Sequence, residues 1–446
     1  MLVAVIGLVS SLLIPQILSV EGYAEYQTFL LYLSYITILH FGLMTGMSIE
    51  YAGKRRMDID QSRYKSELRL LILILLVCSL AGVVLASTTK SKLIFYVAIM
   101  ILPYCFAAGY RSLLQAWGEF KLYAVLNVLL SAIPLAIPLV VYFVSGTVSA
   151  AVCIFSYMLS YCVTALGLLL QNAYALHEVK AISILSKVHK QTISIGALFL
   201  IGNYVNNLFH SIDKQFIKIF CSVPEFSYYS FGMMMQKTMT IFITAIAQPL
   251  FPYMASGKLD KEQYPTIKRY LFMLGSLSGA AYFACAIIVK VFVPKYVNSL
   301  EIIGIFFLTF PAMAVINCLY LNLYKIRKLT KQYVWDVLLM LVFAIACNAI
   351  AIVAGTGYKG VAVATTITYY VWLLYGTKIF KELREDLREY AFLVGFALIF
   401  IITTTKVADI YGFFVFLIFD AVLCTVCFSK EVKQLAGKMK ALLKKG

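Results

Sequence analysis

Lys237 stands about a dozen residues into an apolar stretch, 226–251, with no acid one turn away and only Gln236 beside it. A cation at that depth in hydrocarbon costs about 2.5–3.5 kcal/mol on insertion scales, and its stem is too short to snorkel out, so it should face a water-filled cavity. An ammonium there would hold an anion such as a phosphate. Thr240, Thr244 and Gln248 share its helical face, within roughly 80° at 100° per residue. In the preceding stretch, Asn203, Asn206, Asn207, His210, Asp213 and Lys214 fall on one arc of roughly 120°. Amides and hydroxyls in such stripes hydrogen-bond a polyol, or else glue helices together. Asp213 and Lys214 lie near the end of their stretch, where a local ion pair or interfacial snorkelling competes with binding.

Five further residues could contribute. His40 is a candidate proton site, with a hydrogen-bonded structural role as the alternative. With His210 and Asp213 it makes up the candidate set for a coupling ion. Arg111 lies at the end of an apolar stretch, as an interface anchor or as a contact for an anionic headgroup. Tyr32 and Tyr35 share one face and could stack on sugar rings, although the 31 tyrosines of the chain make core packing the default. Asp420 lies mid-stretch near the C-terminus, where packing and coupling are equally served.

The elements that must position these residues are membrane helices. Of 446 residues, 62% are hydrophobic and 13% charged, about half the charged share of a soluble domain. About fourteen apolar segments follow one another, each long enough to cross a bilayer, and no link is large enough to fold as a soluble domain. The sequence therefore predicts an all-α polytopic membrane protein. Its +17 charge is not a nucleic-acid footprint, because the basic residues sit in every second link. Lys54, Arg55, Arg56, Arg63, Lys65 and Arg69 fill one; Lys258, Lys261, Lys268 and Arg269 fill another; Lys430, Lys433, Lys438 and Lys440 lie in the tail. That alternation places both termini in the cytoplasm and lets the basic excess touch lipid headgroups. The segment from Leu2 lacks a basic leader and a cleavage site, so it reads as a first span behind a shortened start. Ten cysteines are scattered through apolar stretches, and Cys424-x-x-Cys427 reads as membrane packing. No Walker A, GxGxxG, HExxH or G-x-S-x-G motif occurs, which excludes ATP-driven transport within the chain and gives no reason to expect a cofactor, a metal or an enzyme.

The first six spans resemble the next six. Ser19-Val20-Glu21-Gly22-Tyr23-Ala24-Glu25-Tyr26 parallels Ser222-Val223-Pro224-Glu225-Phe226-Ser227-Tyr228-Tyr229. Lys121 and Tyr123 parallel Lys331 and Tyr333, and Ala150 with Ser156-Tyr157 parallels Ala362 with Thr368-Tyr369, at offsets of roughly 203 to 212 residues. An even number of spans per copy gives parallel repeats. The expected organisation is a six-helix bundle over 1–190, a second over 191–380, a cavity for substrate, and two added helices with a basic tail over 381–446.

Ile14-Pro15-Gln16-Ile17-Leu18 with Glu21–Tyr26, Phe41-Gly42-Leu43 with Gly46, Ile212-Asp213-Lys214 with Tyr229-Ser230-Phe231, Pro294-Lys295-Tyr296 and the 357–364 stretch together resemble the bacterial oligosaccharide flippases that export O-antigen and capsule repeat units. Their superfamily also holds the multidrug and toxin extrusion antiporters and the peptidoglycan-precursor flippase. The resemblance implies a bacterial inner-membrane transporter that turns an undecaprenyl-pyrophosphate-linked oligosaccharide to the outer leaflet by alternating access. It also implies proton or sodium coupling, and a polysaccharide polymerase and chain-length proteins as partners. A cation-coupled drug antiporter, the peptidoglycan-precursor flippase and a membrane polymerase or ligase are the alternatives. The mid-membrane lysine disfavours cationic cargo, and the short outer links disfavour a membrane enzyme.

Overall fold

In a computed structural model, residues 2–184, 186–255, 261–384, 386–407 and 409–443 are described, apart from the side chains of a few helical positions. They separate into two compact units, 1–211 and 212–446. The first contains α1 (Leu2–Ile17), α2 (Val20–Tyr35), α3 (Leu43–Glu50), α4 (Gln61–Thr89), α5 (Lys92–Ala116), α6 (Phe120–Ser145), α7 (Ala150–Ala175) and α8 (Lys187–Phe209). The second begins with α9 (Ile212–Phe220), α10 (Val223–Ala255), α11 (Tyr264–Leu277), α12 (Ala281–Phe292), α13 (Leu300–Phe307) and α14 (Phe310–Val315). It continues through α15 (Leu321–Ile326), α16 (Thr330–Val353), α17 (Gly357–Ile379), α18 (Leu387–Lys406), α19 (Asp409–Cys427) and α20 (Ser429–Leu443).

Among the described residues, nine helices are long and apolar enough to cross a membrane, or eleven if each of two bent pairs is one span. The other three of the fourteen expected spans are also helical. They are α1, at 16 residues, the 33-residue α10, and α17, whose Thr365, Thr366, Thr368, Tyr369 and Tyr370 dilute its apolar character. The expected class, an all-helical polytopic membrane protein, is the one observed. Short polar side chains set many helix starts: Ser19 Oγ accepts from the Gly22 amide at 2.9 Å, and Asp60 Oδ1 from Ser62 at 2.9 Å.

Both bends have local causes. The α2–α3 pair turns by 64° where Phe41 and Gly42 take φ of 47° and 86°, a left-handed step that ends one helix and starts another. The α13–α14 pair turns by 52° just ahead of Pro311, which has no amide to donate. The expected continuous helix over 192–219 is a correction: α8 stops at Phe209 and α9 starts at Ile212. The Ser211 hydroxyl donates to the Asn207 carbonyl at 2.9 Å, satisfying an end that the helix would otherwise have continued.

In the first unit α3 and α8 cross at backbone contact. Added Cβ atoms on Gly46 and Gly196 would each lie 2.0 Å from a backbone oxygen, of Thr192 and Gly42 respectively. Small residues permit this approach, and dispersion at close range holds it where no hydrophobic effect acts between helices. The second unit's core is aromatic, with Tyr282, Phe283, Phe396, Phe400 and Phe416 in edge-on and tilted contacts at 5.5–6.3 Å.

Candidate functional site

The break between α2 and α3 opens a cavity of about 700 Å³ inside the first unit. The α2–α3 turn contributes Ser34, Thr37 and His40, α3 contributes Thr45 and Ser48, and α8 contributes Asn203 and Asn207. Met44, Phe199 and Tyr104 supply apolar and aromatic wall. A glycine at 109 makes room for this arrangement, since a Cβ there would strike Met44 Cγ at 2.3 Å. His40 Nδ1 accepts the Gly42 amide at 3.2 Å, which fixes a neutral imidazole with its proton on Nε2. Asn207 Nδ2 donates to the Ser34 carbonyl at 2.8 Å, so its side-chain oxygen is the group left to face a ligand. No charged side chain is among the described residues lining this space.

The structure splits the polar arc expected over 203–214. Asn203 and Asn207 line the cavity, and Asn206 does not. His210 caps α8, its amide donating to the Asn206 carbonyl at 3.2 Å, and its ring lies edge-on to Phe209. Asp213 belongs to the second unit. Tyr32 and Tyr35 are half-buried and outside the lining; Ser34 and Thr37 hold the positions that reach it. Arg111 donates to Asn127 Oδ1 at 2.9 Å from α5 to α6, while its Nε is buried without a partner. Asn127 borders a separate cavity of about 330 Å³ beside Leu2 and Val3.

Asp213 is 3% exposed. Asn348 Nδ2 on α16 and Thr365 Oγ1 on α17 each donate to it at 2.7 Å, and the Tyr229 hydroxyl on α10 lies 3.5 Å from Thr365 Oγ1. Asn348 Oδ1 is buried with no hydrogen-bond partner. Sequence reasoning missed Asn348 and Thr365, because they come to Asp213 from 135 and 152 residues away. Asp213, the Asn348 amide and the hydroxyls of Thr365 and Tyr229 thus form one buried polar cluster within the second unit.

On α10, Lys237 is exposed, while its neighbour Gln236 is buried and donates to Thr309 Oγ1 at 3.1 Å. Thr240 donates to the Lys237 carbonyl at 2.6 Å, leaving its oxygen as an acceptor. The side chains of Thr244 and Gln248 lie outside the described residues.

A second polar cluster also escaped the sequence. Arg63 on α4 pairs with Glu50 and, at 2.9 Å, with Glu67. Thr192 Oγ1 donates to Glu67 at 3.0 Å and Tyr51 to its other oxygen; Ser66 meets His189 Nε2 at 2.8 Å. This network ties α3, α4 and α8 together at one end of the glycine crossing.

Residues 1–258 match the sequence model of a family described as polysaccharide biosynthesis protein. No curated protein sequence matches the chain. Among solved structures, the fold is similar to the lipid II flippase MurJ in an inward closed conformation, at TM-score 0.69 and 12% identity over 96% of this chain and 98% of that one. It is also similar to an inward-facing multidrug resistance MATE family transporter of the MOP superfamily, at TM-score 0.59 and 15% identity over 86% and 94%. With more than half its length under the family model, the chain, an all-helical multi-pass membrane protein, belongs to the polysaccharide biosynthesis protein family.

Proposed function

We propose that this protein is a flippase that carries an undecaprenyl-pyrophosphate-linked oligosaccharide repeat unit from the cytoplasmic to the outer leaflet by alternating access. The observation that carries the reading is the cavity at the α2–α3 break. Its hydroxyls, amides and Nε2–H of His40 offer donors and acceptors to a sugar, and Tyr104 and Phe199 offer apolar wall to its C–H faces. Lys237, exposed on α10 of the second unit, is the sequence's candidate for the charge that a pyrophosphate requires. Family membership supports a role in polysaccharide assembly, and the alternating basic links support cytoplasmic termini. In this reading the sequence repeats, 1–190 and 191–380, move relative to each other, and 381–446 is an addition.

Asp213, with Asn348, Thr365 and Tyr229, is the proposed coupling-ion site. Its oxygens fit sodium or a proton, and the orphan Asn348 oxygen would gain a partner when a cation binds. His40 is set aside as a coupling group, since its Nδ1 is already an acceptor.

The test is to delete the gene and measure undecaprenyl-pyrophosphate-linked oligosaccharide by mass spectrometry, assigning its leaflet with a membrane-impermeant lectin. Cytoplasmic-face accumulation, rescued by wild type and at most a tenth as well by Lys237→Ala, supports the reading. Normal leaflet distribution with lost drug resistance overturns it in favour of an antiporter.

A further inference from the structure

α20 follows the membrane-spanning α19 after a single residue, Phe428, which is buried against Phe392 at 4.7 Å. It therefore starts where a span leaves the bilayer. Its first turns are held down along one flank. Glu431 Oε1 accepts from Arg269 Nη1 at 2.8 Å, and Gln434 Oε1 accepts from the Tyr270 hydroxyl at 3.0 Å. Arg269 is itself fixed by Glu389 at 3.0 Å and Asp386 at 2.9 Å.

That flank sorts the rest of the helix. At 100° per residue, Glu431 and Gln434 lie within roughly 60° of each other. Lys430 and Lys433 lie on one side of them and are exposed. Val432 and Leu435 lie on the other, with Leu435 40% exposed. The one acid, Glu431, is neutralised by Arg269, so the basic charge is uncompensated along the helix. Apolar residues on one side and lysines on the other, beside a span end, suit a helix lying in the bilayer interface.

We infer that α20 is an interfacial helix that binds anionic phospholipid headgroups through Lys430 and Lys433 while Val432 and Leu435 enter the acyl-chain boundary. A second copy of the helix is a poor occupant, because two such faces would repel. The docked flank links lipid binding to α11 and α18 through Arg269, Asp386 and Glu389.

Hydrogen exchange of the full-length protein in nanodiscs tests this. In discs of phosphatidylcholine with 30 mol% phosphatidylglycerol, α20 amides should exchange about fivefold or more slowly than in phosphatidylcholine alone, a gain of the size one surface lysine provides. The difference should shrink at 0.5 M NaCl. It should vanish when Lys430 and Lys433 are each changed to Gln, with exchange in α4 and α16 unaltered. Equal exchange in the two discs overturns the inference. So does a difference that survives both the substitutions and the salt, or protection that rises with protein concentration in phosphatidylcholine. The salt arm uses the unmodified chain and decides the matter if the double variant does not fold.

Discussion

Gly46→Ala probes the backbone contact between α3 and α8. The new methyl would lie 2.0 Å from the Thr192 carbonyl oxygen, where ordinary contact begins near 3.4 Å. The helices must part locally by about 1.4 Å, a gap that forfeits more than half of the dispersion energy of the atoms concerned. Neither clashing group can rotate away, because one is backbone and the other is fixed to it. The cost therefore falls at the upper end of the overpacking range, about 3 kcal/mol. Replacing glycine inside a helix returns about 0.5–1 kcal/mol. The net loss of about 2 kcal/mol lowers the folded-to-unfolded ratio roughly thirtyfold. Gly167 on α7 has nothing within 4 Å of its added Cβ, so Gly167→Ala serves as the matched control and should be neutral or slightly stabilising. Titration of each purified variant with SDS in mixed micelles, followed by circular dichroism, reads the difference. If Gly46→Ala unfolds at the wild-type SDS fraction, the crossing is not held at backbone distance and the packing argument fails.

Three more outcomes follow from the geometry. Asp213→Asn should remove a sodium-dependent rise in thermal stability, and Asn348→Ala should weaken apparent sodium affinity about tenfold; an unchanged difference between sodium and choline chloride would separate Asp213 from any sodium site. Lys268→Met should cost about 3–5 kcal/mol, because it strips Glu389, only 1% exposed, of the ammonium at 2.9 Å; thermal unfolding in detergent checks this, and wild-type stability would show that Arg269 alone suffices. In proteoliposomes, a lipid-linked acceptor bearing a neutral hexose should be flipped at least tenfold faster than one bearing a uronate at the same position, since the described cavity lining holds no cation for a carboxylate. Equal rates would place the sugar elsewhere.

The helices were legible because apolar length is a strong local signal, and fourteen expected segments are all helical. The bends were less so. Gly42 was visible as a glycine, but a 64° turn depends on Phe41 joining it in the left-handed region. The charged residues misled most. Arg63, Lys268 and Arg269 count as ordinary members of basic links, yet Lys268 is fully buried and Arg63 lies within an ion network. Composition cannot distinguish a solvated lysine from one that meets Glu389 across 121 residues. The same holds for Asp213, whose neighbours in the chain suggested a local ion pair, while its hydrogen-bond donors come from α16 and α17. Helical spacing put Asn203, Asn206 and Asn207 on one arc, but only Asn203 and Asn207 of the three line the cavity, and spacing alone could not tell them apart.

The glycine crossing also dictates an order of assembly. α3 leaves the ribosome about 140 residues ahead of α8, so for that interval Gly42 and Gly46 line an empty groove with no helix to fill it. Glu50, Arg63 and Glu67 wait with them, lacking Thr192 as a common partner. A nascent chain arrested after α7 would carry all the spans of a six-helix bundle and still lack its last wall. Synthesis of α8, not insertion of the sixth span, is then the event that commits the first half of the protein to its native packing.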